Sequence, residues 1–193
     1  EVGGVDVRDL AQDDLRRRVG VVTQEVELFR ASLRDNLTVF GAIEASDDAC
    51  RAALVDVGLG DWLASRPGGL DEHLDGDAGL SAGEGQLLAF ARAFLADPAV
   101  VVLDEASSRL DPATEAALTS ATDRLLRGRT AILIAHRLDT LGQVDAVAVL
   151  DHGRLVEHGN RGQLAADPTS RFHALLRTAA GDRPDAIAPG ATS

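Results

Sequence analysis

Apolar residues fall into two kinds of run. Unbroken aliphatic stretches recur at residues 100–103, 131–135 and 146–150, and residues 19–24 are rich in β-branched types. The 100–103 run lacks polar alternation and reads as a strand buried on both faces of a parallel sheet. Elsewhere the apolar residues recur at helical spacing. Leu87, Ala91, Phe94 and Leu95 form one stripe, on a helix that follows a polar glycine turn and ends at Asp97-Pro98. Ala117, Leu118, Ala121 and Leu125 form another, on a helix opened by Asp111-Pro112 and closed by Gly128. Strand 100–104, helix 112–126 and strand 131–135 predict one right-handed βαβ unit.

Weaker elements lie around this unit. Residues 9–18 read as a polar connection ending in three arginines. Ser32 caps a short helix through Leu37. Ser46-Asp47-Asp48 opens a second helix, with an N-cap hydroxyl and two acids favoured by the helix dipole, and Gly58 closes it. A further turn at 61–65 and a loop over 66–79 complete a small helical subdomain at about 32–95. After a short helix near 138–141 and the strand at 146–150, Asp151-His152-Gly153 turns into an edge strand at 154–158. Helical stretches at 161–166 and 169–177 follow, and residues 178–193 read as a disordered tail. The expected fold is α/β, a partial parallel-sheet core with one domain over 1–177.

Charge changes this picture in one way and composition in another. At net charge −12 over 193 residues the surface repels a phosphate backbone, so nucleic acid is not an expected partner. All 19 basic residues are Arg, so chemistry that needs a lysine amine is incomplete in this chain. The single Cys, Cys50, shares a helical stripe with Ala53, Leu54 and Val57 and reads as core; one thiol builds neither a disulfide framework nor a thiolate cluster.

Candidate chemistry gathers at the carboxyl ends of the expected strands, where open α/β sheets place their ligands. Gln24, Asp104-Glu105 and His136 all fall there. An acid directly after a buried strand suits Mg²⁺, which keeps part of its hydration shell. A second acid one residue on can take a proton from an attacking water. A histidine one strand over can touch a departing phosphate, and a glutamine can order water or metal. Each has a plainer use, as a helix cap or a surface turn. Ser81-x-x-Glu84 is likewise a capping box, and the same glycine-bearing helix N-terminus offers N–H groups to phosphate oxygens.

Taken together, LSAGE followed by GQLLAFARAFLADP, VVVLDE, SSRLD and AILIAHR resembles the nucleotide-binding domain of ATP-binding-cassette (ABC) transporters, over nearly all of residues 1–177. The phrase VVTQEVELFRASLRDNL is similar to the exporter branch. The resemblance implies a P-loop NTPase fold, ATP and Mg²⁺, and a head-to-tail partnership with a second nucleotide-binding domain. It also implies a transmembrane domain as partner, at the cytoplasmic face of the membrane. It casts Glu105 as the catalytic glutamate and His136 as the switch histidine. Asp104 and Gln24 become metal-associated, with Gln24 also on the nucleotide. Ser81, Ala82, Gly83 and Glu84 become the signature, and Asp111 closes the loop after the catalytic acid.

Three departures from the family pattern matter. Ala82 stands where the usual LSGGQ has glycine, and Glu84 where it has glutamine. No GxxxxGK[ST] phosphate loop is present, and with no Lys none is hidden. The chain is therefore expected to be a domain without its first strands, phosphate loop and following helix, unable to bind ATP in cis. The alternatives are a non-catalytic remnant or dimerisation piece, and a DNA-repair ATPase of the same superfamily. The acidic charge and the absence of long coiled-coil or zinc insertions disfavour the last.

Overall fold

The computed structural model describes residues 1–23, 25–75, 80–104, 111–135 and 138–181. The chain forms two compact units, Glu1–Ile134 and Ala135–Ser193.

In the first unit the elements run α1 (Gln12–Arg18), β1 (Val19–Val22), α2 (Leu33–Thr38), α3 (Asp47–Asp56), α4 (Gly60–Ala64), α5 (Ala82–Ala96), β2 (Val100–Asp104), α6 (Pro112–Leu126) and β3 (Thr130–Ile134). The three strands form a parallel sheet in the order β1-β2-β3, with Val22 beside Leu103 and Leu103 beside Leu133. The fold is that of a partial P-loop ATPase core, and β2, α6 and β3 form the expected βαβ unit. Strand β3 begins one residue earlier than the apolar run suggests, at Thr130.

One core serves this unit. Val22, Val101 and Leu103 from one face of the sheet pack with Leu87, Leu88 and Ala91 of α5 and with Ala121 and Leu125 of α6. The same core extends through Leu33 and Leu37 of α2 and Cys50 and Leu54 of α3, so these helices and the sheet share buried surface. Cys50 is fully buried, and its thiol is pushed up by that burial, as a packing residue requires.

Two expectations are corrected. Strand β2 is not buried on both faces. Its burial alternates, and the opposite sheet face carries Val21 at 59% and Ile132 at 55% exposure. Both long helices lie over the Val101/Leu103 face, which leaves Val21, Val102 and Ile132 in register on the other. Nor is 12–18 a mere connection: it is helix α1. It has no buried residue, hence no apolar stripe to read, and rests on Asp13 and Asp14 in its first turn and three arginines in its last. Asp13–Arg16 and Asp14–Arg17 pair across i,i+3.

The second unit holds β4 (Ala146–Asp151), β5 (Arg154–Asn160), α7 (Arg161–Ala166) and α8 (Arg171–Gly181). The strands pair antiparallel, turning through His152 and Gly153, both at positive φ. Phe172, Val147 and Leu141 form its small core. Helix α8 runs through Gly181, past the expected onset of the tail, and residues 182–193 lie outside the described residues.

Candidate functional site

The LSAGE segment builds a helix start. Ser81 sits in extended backbone as N-cap of α5; its Oγ accepts the Glu84 N–H at 3.2 Å, and Glu84 Oε2 accepts the Ser81 N–H at 2.7 Å. The Glu84 carboxylate is thus turned back onto its own helix. Among the described residues the Ala82 and Gly83 N–H groups have no hydrogen-bond partner; Ala82 is exposed and Gly83 buried, at the positive end of a 15-residue helix. Ala82 is helical and not among the residues at positive φ, so its methyl group is accommodated without strain.

Asp104 is the last residue of β2, half-buried, beside Ile134 of β3. Alternation along the strand sets it on the open face of the sheet with Val102. Asp111 is spent on helix α6. Its Oδ1 accepts the N–H groups of Ala113 and Thr114 at 3.1 and 3.0 Å, and its Oδ2 accepts the Thr114 hydroxyl at 2.6 Å. Those bonds, the Thr114 hydroxyl first, hold its carboxyl below the usual range. Gln24, Glu105 and His136 lie outside the described residues. The described part of the expected constellation is therefore Ser81 to Glu84, Asp104 and Asp111.

Does this set suit the expected ligands? No group of three or more His, Cys, Asp or Glu clusters among the described residues, so no all-protein metal cage is present there. Mg²⁺ does not need one. It takes one or two carboxylates and completes its shell with water and phosphate oxygens, and Asp104 at a strand end fits that habit. The exposed Ala82 N–H at the start of α5 fits a phosphate oxygen in the same way.

A cleft of about 760 Å³ opens between the loop of residues 25–29 and the start of α5, lined by Glu25, Val26, Glu27, Leu28, Phe29, Leu80, Ser81, Ala82 and Gly85. Two residues that hold its loop escaped the sequence reading, Asn36 and Arg92. Asn36 is fully buried and accepts the Phe29 N–H while donating to the Phe29 carbonyl, both at 2.9 Å. Arg92 donates from Nε to the Asn36 carbonyl at 2.6 Å and from Nη1 to the Glu27 carbonyl at 2.9 Å. The signal for Arg92 was a lone cation inside the otherwise apolar LLAFARAFLA.

A parallel sheet with an acid at the end of its middle strand, beside a capped helix, defines an α/β protein with a partial P-loop ATPase core. Comparison with known proteins narrows the class: the ABC transporter family model matches residues 1–108. The chain is 40% identical over 182 residues to the mycobactin import ATP-binding/permease protein IrtA of Mycobacterium tuberculosis, covering 94% of this chain and 21% of IrtA. It is 42% identical over 168 residues to the β-(1→2)glucan export ATP-binding/permease protein NdvA of Nitrobacter winogradskyi, covering 86% of this chain and 27% of NdvA. Against the uncharacterized ABC transporter ATP-binding protein YknV of Bacillus subtilis it is 40% identical over 167 residues, 86% of this chain and 28% of YknV.

The chain belongs to the ABC transporter family. It is similar to proteins that unite permease and ATP-binding parts, and it spans only about a fifth to just over a quarter of these relatives. One of those relatives is named for import and another for export. No helix among the described residues is long and apolar enough to cross a membrane.

Proposed function

We propose that this chain is the ATP-hydrolysing motor part of an exporter, coupled to a transmembrane domain at the cytoplasmic face of the membrane. It would work with a second nucleotide-binding domain, head to tail. The observation that carries this reading is the capped start of α5, which turns the Glu84 carboxylate back onto its own helix and leaves the exposed Ala82 N–H end of that helix for a partner's nucleotide phosphates. By family likeness Glu105 accepts the proton of the attacking water, and His136 and Gln24 hold the γ-phosphate and the water in line. Asp104, with Gln24, would hold Mg²⁺, which supplies charge neutralisation on the phosphates.

The chain has no Lys and no phosphate loop, so alone it binds ATP weakly and does not hydrolyse it. Its signature instead completes a site whose phosphate loop comes from a partner domain. The test is ATP turnover by the purified 193-residue chain, with and without a domain that carries a phosphate loop. Turnover by the chain alone that is abolished in Glu105→Gln would sink the claim of dependence. No stimulation of the partner would sink the claim of completion.

A second reading, a non-catalytic association piece, draws on the apolar sheet face at Val21 and Ile132. It predicts self-association in sedimentation and no stimulation of any ATPase.

A further inference from the structure

The bonds of Asn36 and Arg92 form one closed system. The Asn36 amide donates to the carbonyls of Phe29 and Ser32 at 2.9 and 3.1 Å. Its Oδ1 accepts both the Phe29 N–H and Arg92 Nη2, at 2.9 and 3.2 Å. The guanidinium lies 6.0 Å over the Phe29 ring, and none of its described partners is a carboxylate. A largely buried cation hydrogen-bonded only to carbonyl oxygens is an expensive way to fill a core, and burial draws its pKa down against the opposing charge of Glu27. What the arrangement provides is a fixed geometry. It fastens three separate pieces of chain: the loop at Glu27 and Phe29, helix α2 through Asn36, and helix α5 through Arg92.

We propose that Asn36 and Arg92 are positioning residues that lock the loop of residues 25–29 onto α2 and α5, so that this loop and the LSAGE end of α5 shift as one body. The loop follows Gln24 in the chain, and α5 carries Ser81 to Glu84 at its start. A displacement at one is therefore handed to the other through buried hydrogen bonds. The cleft between them keeps its width for the same reason. The mechanical role rests on the proposed function; the lock itself does not.

Two substitutions separate the halves of the lock. Asn36→Asp keeps an acceptor for Arg92 but loses the donors to Phe29 and Ser32. Arg92→Met keeps the Asn36–Phe29 pair and an apolar fill but unfastens α5. Amide hydrogen exchange, followed by NMR on the full chain, reads the result. The Phe29 and Ala31 amides are expected to exchange roughly tenfold faster or more in Asn36→Asp, with Leu88 and Val101 unchanged. In Arg92→Met the effect is smaller, and Arg92→Lys restores part of it. Unchanged Phe29 exchange in both variants overturns the proposal, as does uniform acceleration at every core amide, which marks a packing role only.

With a phosphate-loop partner, both variants are expected to lower kcat severalfold at unchanged KM for ATP. An equal change in both constants overturns the mechanical role. If the unaltered chain stimulates no partner, the proposed function fails, and the exchange result still decides the lock.

Discussion

Glu84 and Ser81 each accept the other's backbone N–H, at 2.7 and 3.2 Å, so the acid that replaces the family's glutamine serves as half of a helix cap. Glutamine fills that position in a capping box equally well. Glu84→Gln is therefore expected to leave the unfolding free energy within a few tenths of a kcal/mol, whereas Ser81→Ala costs about 1 kcal/mol. Thermal melts of the two variants check the order. With a phosphate-loop partner, Glu84→Gln should also strengthen nucleotide-dependent association, because it removes a negative charge from the phosphate end of α5. Weaker association would contradict the placing of that helix end at a nucleotide.

The turn from α5 into β2 sets a second constraint. Pro98 is fully buried, and a Cβ built on Gly20 would meet its Cγ at 2.7 Å. Gly20 is needed for close approach, since it is not among the residues at positive φ. Gly20→Ala must push β1 and the Pro98 turn apart, an overpacking that costs about 1–3 kcal/mol. Urea unfolding followed by circular dichroism should show a lower midpoint with an unchanged slope. An unchanged midpoint would mean the turn yields freely.

Much of this was legible in the sequence, and the reasons are local. Ser81, Asp111 and Pro112 announce the starts of α5 and α6 because N-cap chemistry needs only neighbouring residues. The run at 100–104 announces a strand by composition alone. Composition does not say what covers each face, and the open side at Val21, Val102 and Ile132 could not be read from it. Helix α1 was missed because its support is all charge, with no buried stripe. Asn36 and Arg92 were missed because their meaning is non-local: they are 56 positions apart, and Asn36 lies in a short helix where an amide usually faces water. Of the site itself, the structure describes the positions of Ser81 to Glu84, Asp104 and Asp111 but not of Gln24, Glu105 and His136, and the roles of all of them stand on family likeness.

The two faces of the sheet should respond differently to truncation. Leu88 of α5 is fully buried against the covered face, so Leu88→Ala removes apolar surface and leaves a cavity, costing about 2–5 kcal/mol. Ile132 is 55% exposed on the other face. Ile132→Thr keeps a β-branched residue in the strand and should change stability by no more than about 0.5 kcal/mol. It should also raise solubility, by interrupting the apolar patch. Denaturant titration with sedimentation checks both. A large loss from Ile132→Thr would show that the open face is covered in solution.

In the second unit, helix α8 is started by a carboxylate from a neighbouring strand. Glu157 of β5 accepts the N–H groups of Phe172 and Arg171 at 2.8 and 3.0 Å and the Ser170 hydroxyl at 3.0 Å. These bonds, the Phe172 N–H first, hold its carboxyl below the ordinary glutamate range, against the opposing effects of burial and the charge of Asp167. Because the folded value is the lower one, the unfolded chain binds the proton more tightly. The stabilisation is then fully present above the ordinary glutamate pKa and is lost as pH falls through the folded value. Lowering the pH from about 5 to about 3 should therefore loosen the first turn of α8, seen as faster exchange at the Phe172 amide relative to Val147 after correction for intrinsic rates. Glu157→Gln should show the looser turn at neutral pH and lose most of the acid-induced change. Retention of the full acid response in the Glu157→Gln variant would place the titrating group elsewhere in the unit.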